Sequence, residues 1–366
     1  MIPLVDLTAQ YNTIKNEIKL EIDKVLSKGD FILGEAVGKF EESFSCFCDS
    51  DYCVGVSSGT DALFLSLLAL GIGPGDEVIT VANTFVATVL AISYTGAKPV
   101  LIDIDSKTFN LDLEKIEEKI TPKTKAIMPV HLYGRAVDME RLSSLADKYH
   151  LKVVEDAAQA HGALYKGRKV GSFGIAGCFS FYPGKNLGAY GDAGCIVTSD
   201  KRVYEDLISL RNYGSPKKYY HNRIGYNHRL DTIQAAVLNV KLKYLAEWNK
   251  KRLNNAKIYN KKLKGIGDLI FPVIDDDDSC VFHLYVIRTK KRDNLLKYLK
   301  SYDIQCGIHY PVPIYSQEAY KHLGYHKEDF PVTENIVKEI LSLPMYPELT
   351  EAEIDKIVSL IKNFYA

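Results

Sequence analysis

Between residues 52 and 199 one pattern recurs: a short apolar run, a turn, then a helical stretch. The apolar runs lie at Tyr52–Val56, Glu77–Val81, 98–104, 125–130, 151–156, 176–181 and 194–199. Helical periodicity falls between them at 61–70, 85–94, 111–120 and 139–150. Strands this short and this apolar, alternating with helices, predict an α/β fold with a mostly parallel seven-stranded sheet covered on both faces. In such sheets, loops at the carboxyl ends of the strands hold ligands.

Outside this core, 8–28 reads as an amphipathic helix stopped by Gly29. Residues 230–263 read as one long helical stretch. Beyond them come a strand at 280–287, a helix at 294–300, a turn-rich segment at 307–315, and helices at 333–341 and 350–365. A chain of 366 residues exceeds one ordinary core. The expected division is a large domain at 1–245 and a smaller C-terminal α/β domain at 246–366.

Lysines plus arginines number 46 and aspartates plus glutamates 46, so no net field draws the chain to nucleic acid or an anionic membrane. The first residues, MIPLVDLTAQ, lack the basic and apolar regions of a signal peptide. The longest apolar run, 62–72, falls short of the ~20 residues of a membrane span. Seven scattered cysteines suit free thiols in a reducing cytoplasm. Cys46, Cys48 and Cys53 lack a nearby histidine, so two buried thiols and a loop thiol are preferred to a zinc site. The acidic run 275–278 reads as a solvated loop, since the glycine and ligand spacing of a calcium loop are missing. No metal is expected.

Three motifs carry chemistry. Ser57-Ser58-Gly59-Thr60-Asp61 joins a strand to a helix. Free N–H groups at a helix start, with a glycine for close approach, suit a phosphate; an ordinary N-cap is the plainer alternative. Asp156 ends the buried run of VVEDAAQAHG (153–162). Its carboxylate needs a cationic partner, since burial unpaired is expensive. A protonated pyridine nitrogen is one such partner and would make its ring an electron sink. Gln159 could then reach the ring's phenolic oxygen. The alternative is an aspartate that caps the next segment. Lys185 sits in a loop with Gly184, Gly188, Gly191 and Gly194 after an apolar strand. Such glycines let backbone wrap closely around a ligand. A desolvated lysine there has a lowered pKa and can be nucleophile and base. A flexible surface loop is the alternative, but the order of the three motifs weighs against it.

The segments SSGTDAL, EDAAQAHGA, FSFYPGKNLGAYGDAG and GYNHRLDTIQAA resemble the motifs of the DegT/DnrJ/EryC1/StrS sugar aminotransferases, and the likeness runs along essentially the whole chain. The resemblance implies the aspartate-aminotransferase-like fold (fold type I), pyridoxal 5′-phosphate (PLP), a homodimer and sites built at the subunit interface. It implies that Lys185 is the Schiff-base lysine and Asp156 the partner of the ring nitrogen. Gln159 would lie near the phenolic oxygen, and Gly59, Thr60 and Ser180 would bind phosphate. Phe85 would stack on the ring, and Asn227 would reach the phosphate from the other subunit. Lysine rather than histidine at 185 favours transamination over dehydration.

Lys217, Lys218 and Tyr219 belong to the basic, tyrosine-rich segment 215–223. A mobile loop and a lid over a sugar-nucleotide diphosphate weigh about equally there. The turn bearing His309 and Tyr310 would lie near the sugar. The loop 183–194 and the turn 308–313 resemble most the family members that aminate C-3 of a dTDP-linked 3-keto-6-deoxyhexose, with L-glutamate as donor. Such an activity would supply a deoxyamino sugar for an O-antigen or S-layer polysaccharide. A 4-keto sugar nucleotide, or a UDP-linked 3-keto sugar acid, is the alternative substrate. A different PLP enzyme or a non-catalytic regulator that binds PLP or a sugar nucleotide are the alternatives of other classes.

Overall fold

The computed structural model describes residues 1–274 and 279–366, so the acidic run 275–278 lies outside the described residues. Its strands in chain order begin with β1 (Tyr52–Val56), β2 (Glu77–Val81), β3 (Lys98–Ile102), β4 (Thr124–Ile127) and β5 (Lys152–Asp156). A small hairpin, β6 (Leu164–Tyr165) and β7 (Arg168–Lys169), precedes β8 (Ala176–Ser180) and β9 (Gly194–Thr198). Seven of these form one sheet in the order β1-β9-β8-β5-β4-β2-β3. Only β9 runs against its neighbours; it pairs antiparallel with both β1 and β8. β5 is central, between β4 and β8.

Both faces of the sheet are covered, which is why its strands read as continuous apolar runs. All five residues of β2 are buried. Helices α1 (Leu7–Lys28) and α2 (Glu35–Phe47) precede β1, and α3 (Gly59–Ala69) follows it. Next come α4 (Ala87–Tyr94), α5 (Met139–Lys148) and α6 (Lys201–Leu210), then α7 (Thr232–Leu242) and α8 (Leu245–Leu263). Val54, Val78 and Ile196 pack with Leu63, Leu67 and Leu207 of α3 and α6 on one face. Alternate residues turn the other way. Ile79, Val81 and Ile127 meet Met139 and Leu142 of α5. Phe179 and Val197 meet Phe40 and Phe44 of α2 and Leu238 of α7. Each fully buried side chain of this kind contributes about 1.5–3 kcal/mol.

Strands β10 (Tyr285–Arg288) and β11 (Ile340–Leu343) form a separate antiparallel pair. Around them pack α8, α9 (Arg292–Ser301) and α11 (Glu351–Tyr365), while α10 (Pro331–Ile336) leads into β11. Ile2 joins this second core and bridges to Ile304. Among the described residues no helix is long and apolar enough to cross a membrane.

Several expectations need correction. The helix expected at 111–120 is two 3-10 turns, Leu113–Lys115 and Glu117–Lys119, because only Ile116 of the later part is buried. The stretch 230–263 is two helices, broken at Lys243 and Tyr244, rather than one. The strand expected at 280–287 is regular only from Tyr285, and the helix expected at 333–341 ends at Ile336. Ile340–Leu343 is instead the strand partner of β10. Helix α2 was not expected, although Val37, Phe40 and Phe44 bury one face. Cys48 and Cys53 are buried as expected, but exposed Cys46 lies on α2 rather than in a loop. Among the described residues no group of three His, Cys, Asp or Glu could hold a metal ion.

Candidate active site

A cavity of about 590 Å³ opens where β1, β2, β5 and β8 end. Gly59, Thr60, Phe85, Asp156, Gln159, Ser180, Lys185, His309 and Tyr310 all line it. The motifs that sequence spreads over 250 residues therefore meet because strand ends lie side by side.

Asp156 is 5 % exposed. Its Oδ2 accepts the Thr88 hydroxyl at 2.8 Å and its Oδ1 accepts the Ala158 N–H at 3.2 Å. No cation forms an ion pair with it among the described residues. Burial raises its pKa, with hydrogen bonds from Thr88 and Ala158 and the field of Lys185 acting against that rise. The neighbouring Glu155, facing the opposite way, fixes the strand end. Its Oε1 accepts the N–H groups of Phe173 and Gly174 at 2.7 Å each, and its Oε2 accepts Gly171 N–H at 2.6 Å. His131 Nε2 lies 2.9 Å from the same Oε2. Val137 N–H donates to His131 Nδ1, so Nδ1 carries no proton and Nε2–H donates to Glu155.

The turn after β1 is held from within. Ser58 caps α3 by accepting Asp61 N–H at 3.1 Å, while the Ser57 and Ser58 hydroxyls donate to Asp61 Oδ2 at 2.6 and 2.8 Å. Glycine at 59 is a packing requirement, since a Cβ there would lie 2.5 Å from the Ser180 Cβ. β1 and β8 thereby deliver an unobstructed helix start and a serine hydroxyl to one corner of the cavity.

Lys185 is half-buried, and among the described residues its ammonium has no hydrogen-bond or ion-pair partner. Burial lowers its pKa to about 8, and the charge of Asp156 opposes that shift. The loop around it is pinned firmly. Lys185 N–H donates to Tyr182 O at 2.8 Å, and Ala189 N–H donates to Phe181 O at 2.8 Å. The Asn186 amide donates to Asn249 Oδ1 and Val281 O. The fully buried Lys241 of α7 donates to Gly188 O at 2.7 Å and lies over the Tyr190 ring. The loop is thus a rigid support, with one free amine directed at the cavity.

Gln159 Oε1 accepts Tyr133 N–H at 2.7 Å, and its amide donates to the Tyr310 hydroxyl at 3.1 Å. The Phe85 ring, 53 % exposed, stands 5.6 Å from the Tyr310 ring at the cavity wall. His309 Nδ1 meets the Ser342 hydroxyl at 2.8 Å, and burial lowers its pKa to about 4. At neutral pH this imidazole is uncharged.

Four expected residues lie elsewhere in this chain. Lys217, Lys218 and Tyr219 are exposed on their loop and do not line the cavity. Lys218 instead stacks on Tyr219 and Lys217 on Tyr220. Exposed Asn227 lines a neighbouring cavity of about 430 Å³ with Ser57, Asp192, Arg229 and Gln234. Asp192 borders both cavities. Sequence reasoning passed over Thr84, Thr88, Asp192 and Leu4, which also line the main cavity. The one available signal was the four-residue spacing of the threonines across the start of α4.

The model of the DegT/DnrJ/EryC1/StrS aminotransferase family matches residues 12–362. The chain is 47% identical over 364 residues to the dTDP-3-amino-3,6-dideoxy-alpha-D-galactopyranose transaminase of Aneurinibacillus thermoaerophilus, covering 100% of this chain and 99% of that one. It is similar in structure to S. venezuelae DesV in complex with a ketimine intermediate, with a TM-score of 0.97 and 43% identity. That likeness covers 100% of this chain and 98% of the other. The structure of ntda from Bacillus subtilis with bound cofactor PMP matches with a TM-score of 0.90 at 33% identity, over 98% of this chain and 82% of that chain.

Proposed function

The chain belongs to the DegT/DnrJ/EryC1/StrS aminotransferase family, with the type I fold and pyridoxal phosphate as cofactor, and from that premise we propose its substrate and the work of each residue. The substrate is a dTDP-linked 3-keto-6-deoxyhexose, aminated at C-3 with L-glutamate as donor. The full-length identity to a transaminase named for a dTDP-3-amino-3,6-dideoxy sugar carries this reading.

Three features of the cavity fit the cofactor. A buried carboxylate at its base has two neutral donors and no cation. A helix start stands open beside Ser180, where a Cβ at position 59 would intrude. A lysine amine of lowered pKa lines the same cavity. When bound, PLP supplies a carbonyl carbon that takes up nitrogen and a protonated ring that accepts electron density.

In this reading Asp156 keeps the ring nitrogen protonated, because an anion in a dry site strongly favours the charged form of its partner. The N–H groups of Gly59 and Thr60, with the Ser180 hydroxyl, hold the phosphate at the start of α3. Lys185 would hold the cofactor through its Nζ, and the same amine, when free, would move the proton at the reacting carbon. Burial, which lowers the pKa of this amine to about 8 in the chain, favours its uncharged, basic form. Phe85 would stack on the ring, and Gln159, whose amide donates to the Tyr310 hydroxyl at 3.1 Å, would lie near its phenolic oxygen. His309 and Tyr310 orient the sugar.

We read the working form as a homodimer of subunits divided near residue 245. Exposed Phe31 and Ile32, beside Asp231, supply apolar surface for a second copy near Asn227. Asn227, Lys217, Lys218 and Tyr219 would then serve the partner's cavity. Product NMR after incubation with the keto sugar nucleotide and L-glutamate tests the substrate. Nitrogen at C-3 is expected; nitrogen at C-4, or turnover confined to a UDP-linked sugar acid, would overturn the substrate while leaving the enzyme class.

A further inference from the structure

Asp156 must be anionic for the reading above, yet it is buried and has no ion-pair partner among the described residues. Within the chain, the Ala158 N–H on Oδ1, the field of Lys185 and a hydroxyl on the other oxygen favour its charged form. Its Oδ2 is 2.8 Å from the hydroxyl of Thr88, which is 1 % exposed. The Thr88 hydroxyl is in turn 2.8 Å from that of Thr84, also buried. Thr84 follows the end of β2 and Thr88 lies in the first turn of α4. The strand and helix thus stack the two hydroxyls beneath a residue of β5, distant in sequence.

The direction of these bonds follows from proton count. A hydroxyl has one proton and a carboxylate only accepts. The Thr88 proton therefore lies on the bond to Asp156, and Thr84 must be the donor to Thr88. Both O–H dipoles turn their positive ends toward the carboxylate. Aligned in this way, each bond polarises and strengthens the next.

We propose that Thr84 and Thr88 form a one-way hydroxyl relay that orients Asp156 and keeps it anionic for the cofactor's ring nitrogen. Thr88 and Thr84 are positioning residues, acting through Asp156. This inference rests on Asp156 being the ring-nitrogen partner. A threonine serving only to fill space would contribute equally whatever the ligand ring contains.

That difference gives the test. Apoproteins of the wild type, Thr88→Val, Thr88→Ser, Thr84→Val and Asp156→Asn are titrated with PLP and with its analogue bearing C–H in place of the ring nitrogen. Thr88→Val is expected to bind PLP roughly ten-fold more weakly, as loss of a hydrogen bond to a charged group implies. It should bind the carbon analogue as the wild type does. Thr88→Ser, which keeps the hydroxyl, should match the wild type with both ligands, and Thr84→Val should show a smaller loss confined to PLP. Equal weakening with both ligands, or unchanged PLP binding by Thr88→Val, would overturn the relay. Asp156→Asn separates the two levels. If its loss is selective for PLP and that of Thr88→Val is not, the relay alone fails. If Asp156→Asn shows no selectivity, the role of Asp156 fails and the relay with it.

Discussion

Burial lowers the Lys185 pKa to about 8 from an ordinary 10.5, with Asp156 pulling the other way. The folded state therefore binds fewer protons than the unfolded chain between those values. Stability gains as pH rises through that window, and below about pH 8 the charged amine costs the cofactor-free fold free energy. Apo Lys185→Met should accordingly be more stable than the apo wild type at pH 7, and the gap should narrow by pH 9. Urea titrations at both pH values check this; a gap that widens with pH would contradict the assigned burial. Gly59 offers a second residue-scale prediction. Gly59→Ala places a methyl 2.5 Å from the Ser180 Cβ. We expect overpacking to lower stability by about 1–3 kcal/mol and cofactor affinity to fall at least roughly ten-fold. Equilibrium dialysis showing wild-type affinity would contradict the phosphate corner. Lys185, Asp156 and Gly59 were legible because each lies at or just beyond the end of a buried strand, in a motif of small residues. The bond between Thr88 and Asp156 was not, since its partners are 68 residues apart and meet only through sheet order.

The central strand β5 shows how an element is anchored by residues facing away from the cavity. Glu155 accepts three backbone N–H groups and the His131 ring within the interior. Removing that carboxylate leaves buried donors without partners, at about 1–3 kcal/mol each. Glu155→Ala should therefore lower unfolding free energy by about 3 kcal/mol or more and loosen the end of β5. Chemical denaturation tests this, and a loss below about 1 kcal/mol would show that the network is dispensable. At this scale the sequence was a good guide for β2 and α1, whose periodicity fits one element only. It misled where short apolar runs fit two periodicities. Ile340–Leu343 reads equally well as the end of a helix, and only pairing with β10 makes it a strand. The break at Lys243 and Tyr244 carries no proline or glycine to announce it.

At the scale of the whole molecule, the cavity in one chain gathers nine of the thirteen expected residues and leaves Asn227, Lys217, Lys218 and Tyr219 outside. A single sequence cannot reveal which of its residues serve a second copy, so this part of the site was legible only through the family resemblance. If Asn227 acts across an interface, mixed subunits should complement. Lys185→Ala and Asn227→Asp enzymes, each inactive alone, should regain up to about one quarter of wild-type sites on random pairing, because one site of each mixed dimer is free of both lesions. Heterodimers that form and stay inactive would contradict the shared site. Every residue role at this site depends on which amine carries the cofactor. Two lysines have depressed pKa values among the described residues: Lys185, at about 8 in the cavity, and Lys241, at about 7 and engaged with Gly188 O. Borohydride reduction of the PLP-loaded enzyme, followed by peptide mass mapping, distinguishes them directly. The cofactor mass should appear on the peptide containing Lys185 and vanish in Lys185→Ala; the label on Lys241 or any other lysine would contradict the account.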